Sequence, residues 1–158
     1  MSKRLRIQSD MAFDNAGTTT PIPLTAGTEK FLDSLTLELT NREEKVLVQG
    51  VFSISLPTVV SVVGGNISAT IKVYRDAALT NLAYTFNDNL LLTELIAITI
   101  PATNYQVPIQ FEEIPPLKVT EDIANYYVTI TLNQTVFALT AGSASLAQYS
   151  IVAQEIAQ

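Results

Sequence analysis

The sequence contains no cysteine, no histidine and no tryptophan. Without cysteine there is no disulfide, thiol chemistry or cysteine-liganded metal site, so the fold depends on packing and hydrogen bonds. The joint absence of histidine and cysteine removes the commonest general base, the commonest transition-metal ligand and the usual partners of a nucleophilic serine. We therefore expect a protein that is not an enzyme, with no catalytic residues, no metal site and no cofactor.

Charge is also scarce. Charged residues make up 15% of the chain, whereas a soluble domain typically has about 25%. Apolar residues reach 47%. Two interpretations stay open: a β-rich domain with a surface of Thr, Ser, Asn and Gln, or a surface covered in part by copies of the same chain.

The few basic residues are unevenly placed. Three of the nine, Lys3, Arg4 and Arg6, lie in the first six positions, and the remaining residues hold six basic and fifteen acidic side chains, a net of −9. A basic tip on an acidic body is typical of an interaction tail. A nucleic-acid binder usually has a broad basic face, so with a pI near 4.5 we expect no nucleic acid partner.

Long apolar runs are missing too. A membrane-spanning helix needs about 18 or more apolar residues in a row, and no such run occurs, so no membrane partner is expected. The start MSKRLR is similar to that of a signal peptide, but Asp10 and Asp14 interrupt the apolar run that should follow. The prediction is synthesis in the cytosol without a signal peptide.

The dominant pattern of the body is alternation with a period of two, which is typical of half-buried strands. Eight strands are predicted, at 31–40, 46–56, 67–75, 82–86, 94–100, 105–111, 125–132 and 145–156. The predicted fold is all-β: an eight-stranded, two-sheet sandwich of the jelly-roll type over residues 22–158, with an extended N-terminal connector or donor arm over residues 1–21.

Polar and Pro or Gly residues predict the connections. Residues 41–44 (NREE) indicate a β-hairpin turn, and Gly64-Gly65-Asn66 indicates another turn. Pro108 predicts an edge strand, and Pro115-Pro116 an extended loop. Neighbours in an extended segment point to opposite faces, so the acidic pair Glu112-Glu113 is interpreted as solvated turn residues and not as a metal site.

The first nine residues have strand periodicity but no nearby hairpin partner. Leu5 and Ile7 share one face, and Arg4 and Arg6 the other. Residues 10–21 look like a tether, and twelve extended residues span up to about 40 Å. We interpret Arg4, Leu5, Arg6 and Ile7 as a donor strand that adds to the sheet of a neighbouring subunit; an ordinary first strand or a disordered terminus remains open.

The energetics limit what such an arm achieves alone. About six hydrogen bonds at ~1 kcal/mol each and burial of two apolar side chains at ~2 kcal/mol each give about 10 kcal/mol. Ordering eight residues costs about the same. Stable assembly therefore also requires direct contact between the bodies.

The body begins with PIPLTAGTEKFLDSLTLELTN at 21–41, behind a detached N-terminal segment, and the chain lacks cysteine. With residues 1–21 as a connector, the strand pattern of the body, about residues 22–158, resembles spore-surface proteins of endospore-forming bacteria. These are exosporium proteins and the pilus subunits of endospore appendages. The resemblance implies a jelly roll whose connector docks into another subunit, with Leu5 and Ile7 as anchors. Known appendage subunits have connector cysteines that crosslink the fibre, so the resemblance implies a non-covalent fibre here.

The leading hypothesis is thus a structural subunit that forms a head-to-tail homopolymer on the spore surface, in the exosporium or coat, after synthesis in the mother-cell cytosol. Anchor and tip proteins are its further partners. Two alternatives remain: a closed-trimer binding head of the C1q/TNF-like kind, and a jelly roll of a phage or viral capsid.

Overall fold

The structure, a computed structural model, describes residues 13–93, 98–139 and 144–156. Within these ranges the elements are all strands, and no helix is long and apolar enough to cross a membrane. The ten strands are β1 (Phe13–Thr18), β2 (Ile22–Pro23), β3 (Glu29–Glu38), β4 (Lys45–Leu56), β5 (Val59–Tyr74), β6 (Leu82–Thr93), β7 (Ile98–Ile100), β8 (Thr103–Glu113), β9 (Ile123–Leu139) and β10 (Ser145–Ile156).

The strands form two antiparallel sheets that pack face to face. The first sheet has the order β1-β10-β4-β8, and the short β2 also pairs with β10. The second has the order β3-β9-β5-β6, and the short β7 pairs with β5. Setting β2 and β7 aside, eight strands remain in which the first lies beside the last, as in the two Greek keys of a jelly roll. The predicted fold class is confirmed.

All eight predicted strand segments coincide with strands β3 to β10. For the predicted strand at 94–100, only Ile98–Ile100 is described as a strand, and residues 94–97 lie outside the described residues. Pro108 lies in β8, which among the described residues pairs only with β4, at the edge of the first sheet. The edge position predicted from this proline is confirmed.

The segment predicted to be a tether contains a strand instead. Residues Phe13 to Thr18 pair with β10, from Phe13 opposite Gln154 to Thr18 opposite Tyr149. After Phe13 the side chains of this strand are small or polar and give no apolar alternation, so the hydrophobic pattern does not predict the backbone pairing. The free connector predicted over 1–21 is therefore wrong from Phe13 onward, while residues 1–12 lie outside the described residues.

Residues 41–44 form the predicted turn, in which the Glu44 amide donates to the Asn41 carbonyl at 3.2 Å, but the predicted hairpin there and the predicted turn at 64–66 are wrong. Residues 41–44 do not close a hairpin, because β3 pairs with β9 in the second sheet and β4 pairs with β10 and β8 in the first. Gly64, Gly65 and Asn66 lie inside β5, at a register irregularity between Ser61 and Asn66 in its pairing with β9. Alternation shows that a strand is amphipathic but not which strand it pairs with, and an interior glycine is also typical of a bulge.

The core lies between the two sheets and is made by the inward side chains of both. Its largest fully buried members are Leu35, Leu37, Phe52, Ile54, Leu56, Ile67, Ile71, Tyr126, Ile130, Leu132, Leu146 and Ile151. The ring of Phe52 on β4 stacks on that of Tyr149 on β10, with centroids 5.8 Å apart. The Tyr149 hydroxyl donates to Asp33 Oδ2 on β3 at 3.2 Å, which links the sheets.

Phe52 and Val51 are neighbours on opposite faces of β4 and therefore predict opposite responses to truncation. Phe52→Ala should lower the free energy of unfolding by about 3–5 kcal/mol, because it leaves a cavity in the core. Val51→Ala, on the outer face, should lower it by less than about 1 kcal/mol. Urea denaturation of both variants checks this, and similar losses would contradict the assignment of faces.

Candidate assembly surface at one end of the sandwich

Two loops meet at one end of the sandwich. The β3–β4 loop (39–44) and the β8–β9 loop (114–122) are joined by a hydrogen bond from the Leu39 amide to the Asp122 carbonyl at 2.6 Å. The Arg42 guanidinium also donates to the Lys118 carbonyl at 3.3 Å. These contacts hold the loops side by side.

The space between the loops is a groove of about 840 Å³, which we call the end groove. It is lined by Leu39, Thr40, Asn41, Arg42, Glu43, Ile114, Pro115, Pro116, Leu117, Val119 and Asp122. Ile114 is 53% exposed and Val119 is 85% exposed. Large apolar side chains gathered in one exposed patch mark interaction sites on soluble proteins.

The apolar wall of the end groove is conformationally restricted. Pro115 and Pro116 fix their own φ angles. The Leu117 amide donates to the Pro115 carbonyl at 2.8 Å, and the Glu121 amide donates to the Lys118 carbonyl at 2.9 Å. A wall held in this way loses little conformational entropy when a partner binds.

The opposite wall is held by a buried carboxylate. Glu155 on β10 is only 2% exposed. It accepts hydrogen bonds from the Thr40 hydroxyl at 2.8 Å and from the Asn41 amide at 2.9 Å. Buried charges are tolerated where hydrogen bonds satisfy them, so this contact positions the β3–β4 loop.

The rim of the end groove is acidic. Glu43 and Asp122 line it, and neither forms an ion pair with another residue in the described ranges. Lys118 is paired with Glu121 at 3.7 Å. Arg42 is the one basic side chain among the lining residues. The groove therefore favours a segment that is both apolar and basic.

A second polar cluster lies on the other side of the β8–β9 loop. The Arg75 guanidinium binds both carboxylate oxygens of Glu113 and also donates to the Asn81 side chain and to the Leu82 carbonyl. The hydrogen bond to Glu113 raises the pKa of Arg75. Burial, with the nearby Glu113 carboxylate, raises the pKa of Tyr126. Arg75 thus binds Glu113 on β8 as well as Asn81 and Leu82 at the end of the β5–β6 turn, and this cluster joins the turn to the edge strand.

The acidic pair Glu112-Glu113 points to opposite sides, as predicted. Glu112 lies 3.4 Å from Lys45, on the outer face. The prediction that both are solvated is wrong for Glu113, whose side chain is 13% exposed and is paired with Arg75. Within the described residues no group of three or more acidic side chains is placed to hold a metal ion.

The predicted donor residues Arg4, Leu5, Arg6 and Ile7 lie outside the described residues. Phe13 is the first described residue after this segment and marks where the segment joins the sandwich. Phe13 is opposite Gln154, and the same cross-strand row continues through Leu47 to Glu112, next to the β8–β9 loop. The N-terminal segment therefore joins the body at the end that holds the end groove.

Sequence reasoning did not find the end groove. Residues 114–119 (IPPLKV) were interpreted only as a loop after an edge strand. The sequence feature that could have indicated the end groove is three large apolar residues, Ile114, Leu117 and Val119, in a loop whose prolines prevent a regular strand.

Comparison with known proteins gives no family, since no family model and no curated protein matches the chain. Solved structures of the capsid of infectious bursal disease virus are similar to it. The chain of the T13 viral particle is 14% identical, with a TM-score of 0.41, over 92% of this chain and 35% of that one. The chain of the T=1 particles is 17% identical, with a TM-score of 0.39, over 90% and 36%. That of the VP2 subviral particle is 15% identical, with a TM-score of 0.35, over 93% and 37%.

This chain thus spans about a third of the length of the viral capsid chains that it matches. The fold assignment itself rests on the strand order.

Glu155→Gln should loosen the wall formed by the β3–β4 loop. The amide presents hydrogen-bond donors to groups that are themselves donors, which should cost about 1–3 kcal/mol of unfolding free energy. It should also speed hydrogen exchange at the Asn41 amide. Glu112→Gln, at a half-exposed carboxylate with one ion pair, is the matched control and should change stability by less than about 1 kcal/mol. Equal effects of both variants would contradict the positioning role.

Glu29, on the outer face of the second sheet, predicts part of the acid sensitivity. Burial alone raises its pKa, but hydrogen bonds from Thr129 and Tyr74 and the charge of Lys72 outweigh burial, so the pKa is lowered from 4.5. A lowered pKa adds stability that is fully present above the unfolded-state value and is lost as the pH falls through the folded-state value.

Glu29→Gln should therefore be less stable than the parent at pH 6, and the difference should shrink on acidification toward pH 3. Denaturant unfolding at both values measures it. Glu38→Gln on the same strand is the control, because no hydrogen bond or ion pair joins the Glu38 side chain to another described residue. A constant difference at both pH values would be inconsistent with the lowered pKa.

Proposed function

We propose that the chain is a non-enzymatic structural subunit that assembles with copies of itself. The observation that carries the proposal is the end groove, with Ile114 and Val119 exposed on a wall fixed by two prolines. Exposed apolar surface of this kind is normally covered by a partner. The low charge of the whole chain, 15% of residues, further supports a surface partly covered by other copies.

The proposed occupant of the end groove is the N-terminal segment of a neighbouring copy. Leu5 and Ile7 are the apolar anchors for the wall of Ile114 and Val119. Arg4 and Arg6 are the basic partners for the acidic rim. Charge complementarity of this type mainly sets the orientation and rate of docking, while the apolar contacts supply most of the binding free energy.

The length of the N-terminal segment is sufficient for this exchange. Twelve residues precede Phe13, and they span up to about 40 Å when extended. The first sheet measures only about 14 Å from β1 to β8, at ~4.8 Å per strand spacing. A segment of that length is therefore long enough to reach a neighbouring copy.

More finely, we propose a non-covalent fibre on the spore surface, in the exosporium or coat, in which each subunit donates its N-terminal segment to the next. The support is the resemblance to spore-surface proteins of the strand pattern of the body, about residues 22–158, with residues 1–21 as its connector. Anchor and tip proteins complete the proposed assembly.

One observation favours a second candidate, a closed assembly. The N-terminal segment joins the sandwich at the same end as the end groove. Two copies that face each other through these ends can exchange their segments reciprocally, and such an isologous contact closes instead of growing into a filament.

Substitutions in the donor and the acceptor test the proposal. Leu5→Asp with Ile7→Asp should abolish assembly, because it removes both anchors and adds charges like those of the rim. Val119→Asp should do the same from the acceptor side. Negative-stain imaging detects filaments, and light scattering separates a broad mass distribution from one closed mass.

Thr120→Asp is the matched control, since it adds the same charge to the same loop outside the end groove. Assembly that persists in the donor variant would overturn the role of the N-terminal segment. Immunogold labelling of spores from the producing bacterium tests the location, and label confined to other compartments would contradict a spore-surface role.

A further inference from the structure

The outer face of the first sheet has no charged side chain over three adjacent cross-strand rows. We call it the uncharged face. Its rows are Asn15, Val152, Gln49 and Gln110; Gly17, Ser150, Val51 and Pro108; and Gln148, Ser53 and Gln106. Its polar groups are partly engaged with each other, as where the Gln106 amide donates to the Ser53 hydroxyl at 2.9 Å. Charge appears at its border, where Lys45 pairs with Glu112.

The second sheet differs. Its outer face includes Lys72, which lies 3.6 Å from Glu29. The chain as a whole has a net charge of −6, so most contacts between two copies bring like charges together. A face without charge avoids this repulsion. The absence of charge matters most in a contact between identical faces, because each residue near the two-fold axis meets the same residue of the other copy.

The shape of the uncharged face is complementary to itself. Val51, 46% exposed at the centre of the face, lies between two hollows. One hollow of about 650 Å³ is bordered by the small residues Gly17 and Ser53, and the other, of about 330 Å³, by Pro108 and Val152. Gly17 is required there, because a Cβ at this position would lie 2.6 Å from the Tyr149 carbonyl oxygen. Every copy therefore has the branched side chain of Val51 next to a hollow of its own.

We propose that the uncharged face binds the uncharged face of a second copy about a two-fold axis, with Val51 of each copy in a hollow of the other. The face has four glutamines and two serines, and their side chains can form amide and hydroxyl hydrogen bonds across the contact without burying a charge.

The size of the face predicts a weak contact. Four strands at ~4.8 Å and three rows at ~6.6 Å give a patch of roughly 20 by 20 Å. That is about half of the ~800 Å² per partner in a stable dimer. The face alone should therefore give a reversible dimer, and it should add greatly to stability only when a second contact holds the same two copies together.

This inference goes beyond the proposed function, since it does not involve the N-terminal segment. The experiment therefore uses the full-length chain with Leu5→Asp and Ile7→Asp, in which donation is blocked. Sedimentation velocity between about 10 µM and 1 mM, the range of weak contacts, should show a monomer–dimer equilibrium. Val51→Lys in this background should weaken the dimer at least about tenfold, because two lysines meet near the axis without counter-ions.

Thr85→Lys is the matched control, because Thr85 is exposed on β6 of the second sheet and gains the same charge there. It should leave the dimer unchanged. Val51→Ser removes the knob without adding charge and should weaken the dimer by itself, which keeps the test valid if Val51→Lys fails to fold by circular dichroism.

A chain that stays monomeric up to about 1 mM with Val51 intact would overturn the proposal and would indicate a different occupant of this face. Equal weakening by Thr85→Lys would also overturn it, since the effect would then be one of net charge. Fibres of the parent chain that persist with Val51→Lys, together with no dimer, would reject this interface alone and leave the proposed function standing.

Discussion

The antiparallel pairing of β10 with both β1 and β4 is the contact on which the rest of the molecule depends. It places β1 beside β10, the last strand, and it fixes the cross-strand rows that continue through β4 to β8. Gly50 shows how tight this pairing is, since a Cβ there would lie 2.8 Å from the Ser150 carbonyl oxygen. From this one register follow the position of Glu155 beneath the β3–β4 loop, the end at which the N-terminal segment joins the body, and the alignment of the uncharged face.

Hydrophobic alternation predicted the strands well but their partners poorly. Val46, Phe52 and Ile54 alternate so regularly that β4 is evident, because a half-buried strand needs only one apolar face. The same pattern cannot distinguish a neighbour in the sheet from a neighbour across the core, which is why the hairpin predicted at residues 41–44 is wrong. β1 was missed for the opposite reason, since Asn15, Ala16 and Gly17 give no apolar signal. The end groove depends on two loops distant in sequence, and no local pattern predicts that they meet.

The distribution of charge divides the surface into regions with different capacities. Ion pairs such as Lys72 with Glu29 and Arg75 with Glu113 lie on the second sheet or between the sheets, where they link strands. The acidic side chains of the end groove have no such partners among the described residues, and the outer face of the first sheet has no charge in its central rows. A chain with little charge thus has two surfaces of different electrostatic character: the end groove, with an acidic rim, and the uncharged face, with no charge in its central rows.

Pro108 in β8 adds a constraint of another kind. A proline has no amide hydrogen, so the exposed edge of the first sheet lacks a donor at its midpoint, opposite Val51. Edge-to-edge pairing of strands into amyloid-like ribbons is favoured by an unbroken series of such donors. The missing donor therefore opposes edge-to-edge pairing of β8 with a neighbouring molecule at high local density, as in any lattice or fibre.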